Sequence, residues 1–469
     1  MLAFEDNMRG VGDTSKDIKK KLNYKDIVKV LIYIVRQDAV EFIKYSRGNW
    51  TFLLSVCLYA KSRWHRSFGN WQKYIEGMSK LFRSGWVGSF SIVTKECQEI
   101  FVSCSNIEKK ENIISLAIEN TAPSANTEKF FLDPKELFEG VLIVLRSPER
   151  GVKGVILIKY SYYFTLMFKL FNMKELARLY HIVLEPSWAG FADISILAYT
   201  SIGSPVFIMT YESRDEKFIR KLESNLVPIS IGPSWWVNHD IFTPSDGTYE
   251  KKYDLVMVAS WDPFKRHQKV FKVLKSLKES GVVLKVALAG YSVGGSKDRV
   301  IKLALFYGIQ DQLVFFEKIP PKKVSELFRS SKLNILWSRF EGNNRSIIEG
   351  MFCDVPVLIR KGHNFGEEYS YINPRTGMFV EERKLGQTIL EALSNRRNFH
   401  PRSFVMKNMS FQNATRILAD KISEYDDNLN TSRLAYKTNE LDGMKYYDPA
   451  DKKKFQYDYQ ILKGFMASK

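Results

Sequence analysis

Two glutamates eight residues apart, Glu341 and Glu349, give the clearest chemical signal in the sequence. They stand in the run Ser338-Arg339-Phe340-Glu341-Gly342-Asn343-Asn344-Arg345-Ser346-Ile347-Ile348-Glu349. A helix predicted to begin near Asn343 or Asn344 leaves its first N–H groups free and its positive dipole end exposed, which makes an anion site. Asn343, Asn344 and Ser346 are the residue types that cap such a start. Glu349 then falls about 1.5 turns into the helix, at ~3.6 residues per turn. From there its carboxylate can accept hydrogen bonds from two vicinal hydroxyls. A carboxylate beside an anion site suits a ribose diol next to a phosphate.

Other constellations are weaker. Gly290 to Lys297 spells G-x4-G-S-K, but a phosphate loop needs the lysine directly after the glycine, so this reading fails. No D-x-D occurs, so no motif for a metal-held diphosphate is present. The six histidines are scattered and the four cysteines form no CxxC. Zinc is not expected, and the thiols read as reduced.

The elements that must position Glu341 and Glu349 are legible around them. Apolar runs at 254–260, 284–290, 313–317, 333–338 and 355–359 alternate with helical segments 266–280, 297–307, 321–330 and 344–352. Continuous apolar strands with helical crossovers imply a doubly wound parallel sheet, whose ligands bind beyond the carboxyl ends of the strands. Apolar runs at 141–145, 154–160, 180–184, 205–210 and 226–231 predict a second sheet. The expected fold class is α/β, with two Rossmann-like parallel-sheet domains facing a cleft. The expected boundaries are an N-terminal region 1–135, partly helical, with 105–128 an exposed connection; a first sheet domain 136–235; a linker 236–252; a second sheet domain 253–425; and a tail 426–469 whose helix packs back on the first sheet domain.

The 469 residues carry 70 Lys and Arg against 52 Asp and Glu, a net charge of +18, and 45% are hydrophobic. Wholesale disorder and collagen-like structure are excluded. The N-terminus shows no signal peptide, and the apolar stretch 153–171 is interrupted by Lys153, Lys159 and Lys169, so it reads as a strand and helix rather than a membrane span. The expected location is cytoplasmic. From Lys61 to Arg83 there are six basic residues and one acid, Glu76, interleaved with Trp64, Phe68, Trp71, Tyr74 and Phe82 and followed by Trp86. That composition suits peripheral contact with an anionic membrane, with Lys16 to Lys25 adding to it. A solvated face over an aromatic core fits the same residues.

The E-x7-E stretch resembles the motif of GT-B glycosyltransferases of family 4 (group 1, retaining, nucleotide-sugar-dependent). The resemblance extends from about Asn238 to Thr415. It includes Val237 to Pro244, Ala259 to His267 in the place of a phosphate loop, and Ile372 to Val380. It implies that Glu349 binds the nucleotide ribose and Glu341 the donor sugar. It implies that Lys265 holds the diphosphate as a catalytic cation, that Lys318 and Ile319 flank the base, and that Gly342, Asn343, Asn344 and Arg345 line the donor site. The family's usual arginine is replaced at Ser260 or Trp261; Arg266 is the candidate substitute, or Arg345 reaches in. In the N-terminal half, Glu185 is the candidate catalytic and acceptor-binding carboxylate and Trp188 a platform for an acceptor sugar. The implied function is a retaining transferase that moves a sugar from a UDP- or GDP-sugar to a glycan or lipid-linked acceptor in surface polysaccharide biosynthesis, at the inner face of the membrane. No metal or other cofactor is expected, and no nucleic acid. A non-catalytic GT-B assembly module and a basic nucleic-acid-binding protein are the alternatives.

Overall fold

The computed structural model describes residues 21–466, apart from residues 47, 120–129, 131–132, 139, 150, 248–249, 363–368, 430–432 and 441–442. Lys16 to Lys20 of the expected basic patch lie outside the described residues. The chain divides into two units, each built around its own sheet.

The unit that carries Glu341 and Glu349 comprises residues 21–41 and 239–409. Its six strands run in the order Gly377–Val380, Val357–Arg360, Ser331–Leu336, Tyr253–Val258, Val286–Gly290, Leu313–Glu317, all parallel. Val286–Gly290 is buried throughout, and Ser331–Leu336 at all but one position, because helices cover both faces. Helix Lys297–Tyr307 has the limits the sequence predicts. Ser296 accepts a hydrogen bond from the Arg299 N–H, and Gly308 ends the helix at φ 67°, a conformation that costs a residue with Cβ about 1–2 kcal/mol. The N-terminal helix Tyr24–Val40 belongs to this unit. Asp26 pairs with Lys302 at 2.8 Å, and the Arg299 guanidinium lies 5.3 Å from the Tyr33 ring.

The second unit comprises residues 42–238 and 410–466. Its sheet runs in sequence order from Leu142–Arg146 through Gly154–Lys159, Tyr180–Glu185 and Val206–Met209 to Leu226–Ile229. The last four strands are parallel, but Leu142–Arg146 is antiparallel to Gly154–Lys159. The connection after Arg146 is too short for a helical crossover, so the chain returns as a hairpin. Residues 153–171 form a buried strand followed by helix Ser161–Leu170. No helix among the described residues is long and apolar enough to cross a membrane.

Two expectations need correction. Much of the segment read as an exposed connection at 105–128 is helix Ile107–Glu119, which buries Ile113, Ile114, Ala117 and Ile118. The basic, aromatic stretch 61–86 is largely not a free face: Tyr74 and Phe82 are core, Trp71 and Trp86 pack against it, and Arg63 and Arg66 both bind Glu96. Glu96 is buried and also accepts from the Tyr59 and Tyr74 hydroxyls at 2.8 and 2.5 Å. Burial pushes its pKa up, but these donors and cations outweigh burial and hold it below the ordinary carboxylate value. The chain re-enters the second unit at Ser410. Helix Phe411–Ser423 buries Phe411, Ala414, Leu418 and Ile422 in that unit's core. In the tail, Asp458 of helix Gln456–Gly464 accepts from Ser147 Oγ at 2.7 Å and from the Tyr180 hydroxyl at 3.1 Å, which ties the helix to this sheet.

Candidate functional site

In the unit with six parallel strands, the loops after Val258, Gly290, Glu317 and Leu336 gather at the carboxyl edge of the sheet. The first of them turns through Pro263–Lys265, and Arg266 takes a left-handed conformation at φ 57° before helix His267–Glu279 begins. A non-glycine residue there stores about 1–3 kcal/mol, which the surroundings must hold. They do so from two sides. Arg339 N–H donates to the Phe264 carbonyl at 2.7 Å, and the Phe264 and Phe340 rings stack 5.0 Å apart. Gly294 N–H donates to Asp262 Oδ1 at 2.7 Å, and a Cβ on Gly295 would come within 2.0 Å of the Trp261 carbonyl oxygen, so only glycine lets the two loops approach. The G-x4-G-S-K stretch thus braces the neighbouring loop, and Lys297 faces Glu317 at 3.8 Å.

The result of this bracing is a buried cluster around Glu341. Lys265 Nζ donates to Glu341 Oε1, and Ser338 Oγ donates to the same oxygen at 2.5 Å. Both ionic groups are less than a tenth exposed. Burial raises the Glu341 pKa, but Lys265, Ser338 and Asn344 outweigh it and hold the carboxyl below its usual value. The Lys265 charge acts on its other neighbour too: His267 is buried beside it, and burial with that charge pushes the imidazole down to about 3, so it is neutral.

The helix expected near Asn343 or Asn344 is Arg345–Phe352, with Asn344 as its cap. Asn344 Oδ1 accepts from the Ser346 N–H at 3.0 Å and from Ser346 Oγ at 2.7 Å. Glu349, one turn on, is 7% exposed and takes Arg345 Nε at 2.5 Å. Burial pushes its pKa up and Arg345 only partly offsets this. Gly342 presents its carbonyl to the Tyr369 hydroxyl at 2.6 Å, and Tyr369 stacks on Tyr371 at 5.0 Å. Lys318 is exposed in a left-handed turn at φ 50°, its N–H donating to the Gly290 carbonyl, while Ile319 is buried.

The structure thus brings Lys265, Glu341, Asn344, Arg345 and Glu349 to one edge. Arg266 is placed differently. It is 1% exposed, with Nε 2.8 Å from Glu41 and an ion pair to Glu382. Glu41 also takes Arg360 Nη2 at 2.6 Å. The guanidinium that the sequence offers in place of a phosphate-binding arginine is therefore held by two carboxylates of its own unit. Two residues at this edge went unread in the sequence. One is Tyr369, under the Gly342 turn. The other is the half-exposed Tyr291, whose hydroxyl pKa is raised by burial first and then by the charges of Asp262, Glu341 and Glu349. No motif announced either: each is an aromatic in a loop.

In the second unit, Glu185 ends strand Tyr180–Glu185 and is 1% exposed. Its oxygens accept from Lys437 Nζ at 2.6 Å and from Asn439 Nδ2 at 2.9 Å. Trp188, three residues on, is 41% exposed. It lines a cavity of about 140 Å³ with Tyr162, Gln72, Glu76 and Asp193, and Glu185 is not among the lining residues. The loop beneath Trp188 is held by buried Asp215, which accepts the Gly190 and Phe191 N–H groups at 2.7 and 2.9 Å.

Residues 239–404, about a third of the chain, match the family described as glycosyl transferases group 1. The unit with the Lys265–Glu341 cluster therefore carries a glycosyl transferases group 1 domain. Two Rossmann-like units in one chain are the composition of the GT-B class. Solved structures similar to the chain include HepE of Anabaena in complex with UDP and glucose (13% identity, 57% of this chain and 78% of that one, TM-score 0.46). Sucrose-phosphate synthase of Thermosynechococcus elongatus is similar at 14% identity, over 69% of this chain and 80% of that one, with a TM-score of 0.46. TarM of S. aureus is similar at 15% identity, over 59% of this chain and 55% of that one, with a TM-score of 0.44. No curated protein matches the sequence.

Proposed function

We propose that the chain is a retaining, family 4 type glycosyltransferase that moves a sugar from a UDP- or GDP-sugar to a glycan or lipid-linked acceptor, in surface polysaccharide biosynthesis at the inner face of the membrane. The observation that carries this reading is the buried Lys265–Glu341 pair beside the capped start of helix Arg345–Phe352, with Glu349 one turn in. In the proposed reaction the bond from the anomeric carbon to the diphosphate oxygen breaks and the acceptor oxygen bonds to that carbon. The acceptor's proton leaves with the departing phosphate. Lys265 and the positive N-terminal end of helix Arg345–Phe352 stabilise the charge that develops on the leaving diphosphate. Glu341 holds donor sugar hydroxyls, and Glu349 accepts from the ribose diol. Lys318 and Ile319 flank the base, and Gly342, Asn343, Asn344 and Arg345 supply further donor contacts. Arg266 does not reach phosphate in this reading, because Glu41 and Glu382 already hold it.

Thermal shift against UDP, GDP, ADP and their sugars tests this. At ~100 times its Kd the correct nucleotide adds about 2.7 kcal/mol of stability. No shift with any nucleotide or nucleotide sugar sinks the proposal in favour of an assembly module, and a tight, sequence-selective shift of an oligonucleotide sinks it in favour of nucleic acid.

Because a lysine and a helix N-terminus can neutralise the diphosphate, turnover is expected to persist in EDTA. Activity that disappears in EDTA and returns only with Mn²⁺ or Mg²⁺ contradicts this. For the acceptor, Trp188 and Tyr162 offer flat apolar faces, and Gln72, Glu76 and Asp193 offer polar groups around the same cavity, a lining suited to one neutral sugar ring. Trp188→Ala is expected to raise the acceptor KM about 10-fold, since a lost stacking contact of ~1.4 kcal/mol is one decade, with donor KM unchanged. An unchanged acceptor KM removes Trp188 from the acceptor site. Glu185, closed in by Lys437 and Asn439, is assigned to shaping the strand end that precedes Trp188.

A further inference from the structure

Helix Asn49–Ser67 in the second unit is built inside out. Its buried residues are small and polar: Thr51, Ser55 and Ser62. Ser55 Oγ donates to Ser84 Oγ at 3.1 Å. Ser62 faces Gly77 of the neighbouring helix Trp71–Phe82, where a Cβ would stand 1.9 Å from Ser62 Oγ, so the two backbones come close. The large apolar residues point the other way. Trp50, Leu53, Trp64 and Phe68 are 59%, 52%, 59% and 72% exposed, and with exposed Cys57 they follow helical spacing along one stripe. A helix on the surface of a protein in water shows the opposite distribution, and an apolar stripe of this length needs a cover.

Charge selects the cover. Between Glu41 and Glu76 there is no acidic residue, while Lys44, Arg47, Lys61, Arg63, Arg66 and Lys73 are basic. Lys44, Lys61 and Lys73 are exposed. A second copy presenting the same cationic face is repelled, whereas an anionic headgroup layer is attracted. Tryptophans towards both ends of the stripe are the side chains that settle at a membrane–water interface. We propose that helix Asn49–Ser67 lies in the headgroup plane of an anionic bilayer, with Trp50, Leu53, Trp64 and Phe68 inserted and the lysines over the phosphates. This placement keeps Lys61, Trp64, Phe68 and Lys73 of the stretch 61–86 singled out by composition, much of whose remainder is core, but moves the docking face onto helix Asn49–Ser67, and it does not depend on the sugar-transfer reading.

The test is flotation of the full chain with vesicles of phosphatidylcholine alone or with about 30 mol% phosphatidylglycerol. The expected result is flotation only with the anionic vesicles, weakened at about 1 M salt, where the screening length is ~3 Å. The variant Trp50→Ser/Leu53→Ser/Trp64→Ser is expected to lose at least ~10-fold of the bound fraction while keeping its melting temperature, because the three side chains are exposed. In a Cys104→Ser background, an environment-sensitive dye on Cys57 is expected to shift to the blue with anionic vesicles only. Wild-type protein that stays with the pellet in both lipids overturns the proposal, as does a triple variant that floats like wild type. A wild-type dimer that the triple variant splits, with no lipid binding by either, assigns the stripe to a second copy instead.

Discussion

Glu349→Gln is expected to leave the fold standing and to cut nucleotide-sugar turnover by about 100-fold, which is ~2.7 kcal/mol of transition-state stabilisation. A vicinal diol donates two hydrogen bonds to a carboxylate. The amide keeps one acceptor and turns a donor toward the other hydroxyl. Stability moves the other way. Burial holds the Glu349 carboxyl above its usual pKa despite Arg345, so at neutral pH the charged form costs folding free energy. The sign follows from proton binding. Between the ordinary carboxylate pKa and the raised folded value, the folded state holds the proton more tightly, so this residue's contribution to stability falls as pH rises through that window and stays low above it. Glu349→Gln removes that fall. The variant is therefore expected to match or slightly exceed wild type in melting temperature at pH 7. The gap should close toward pH 4. Wild-type kcat/KM in a folded Glu349→Gln protein would remove Glu349 from the donor site.

The strands legible in the sequence are short, mostly apolar runs bounded by turns. Val286–Gly290 is buried along its whole length, so an apolar run with turns at each end is its signature, while the edge strand Leu313–Glu317, with Val314 and Phe316 half-buried and Glu317 exposed, reads from its apolar run alone. Helix Lys297–Tyr307 reads correctly because a serine cap and a left-handed glycine mark its ends. Direction was not legible. Leu142–Arg146 has the same buried run as its parallel neighbours, and only the short return after Arg146 makes it antiparallel. Helix Ile107–Glu119 was hidden because its buried stripe is four residues wide within a charged segment. At the candidate site, Glu341 and Glu349 came from local spacing, and Lys265 from the resemblance of Ala259 to His267 to a phosphate loop. The fate of Arg266 could not, because Glu41 and Glu382 reach it from distant parts of the chain. The stripe on helix Asn49–Ser67 was missed for a related reason. Its apolar residues have ordinary helical spacing, and only packing shows that the serines and threonine are the ones turned inward.

The Lys265–Glu341 pair supplies the second large effect and separates chemistry from folding. Both groups are buried, and Glu341 also accepts from Ser338 at 2.5 Å. Lys265→Met leaves that carboxylate buried without its cation, a change that costs about 3–5 kcal/mol. Turnover is expected to fall about 1000-fold, the scale of losing one preorganised donor to a developing anion. A loss of both stability and activity would by itself be ambiguous. The double variant Lys265→Met/Glu341→Gln resolves it, since it removes both charges and leaves an amide that Ser338 can still bond. Its melting temperature is expected to recover most of the way to wild type, because replacing both members of a buried pair costs far less than breaking it. Its turnover is not expected to recover, because neither the cation for the diphosphate nor the carboxylate for the donor sugar is present. UDP or GDP should also bind the double variant more weakly by thermal shift, at equal stability. Activity that returns together with stability would show that Lys265 serves only to neutralise Glu341, and the diphosphate would then have to be held by the N-terminus of helix Arg345–Phe352 without it.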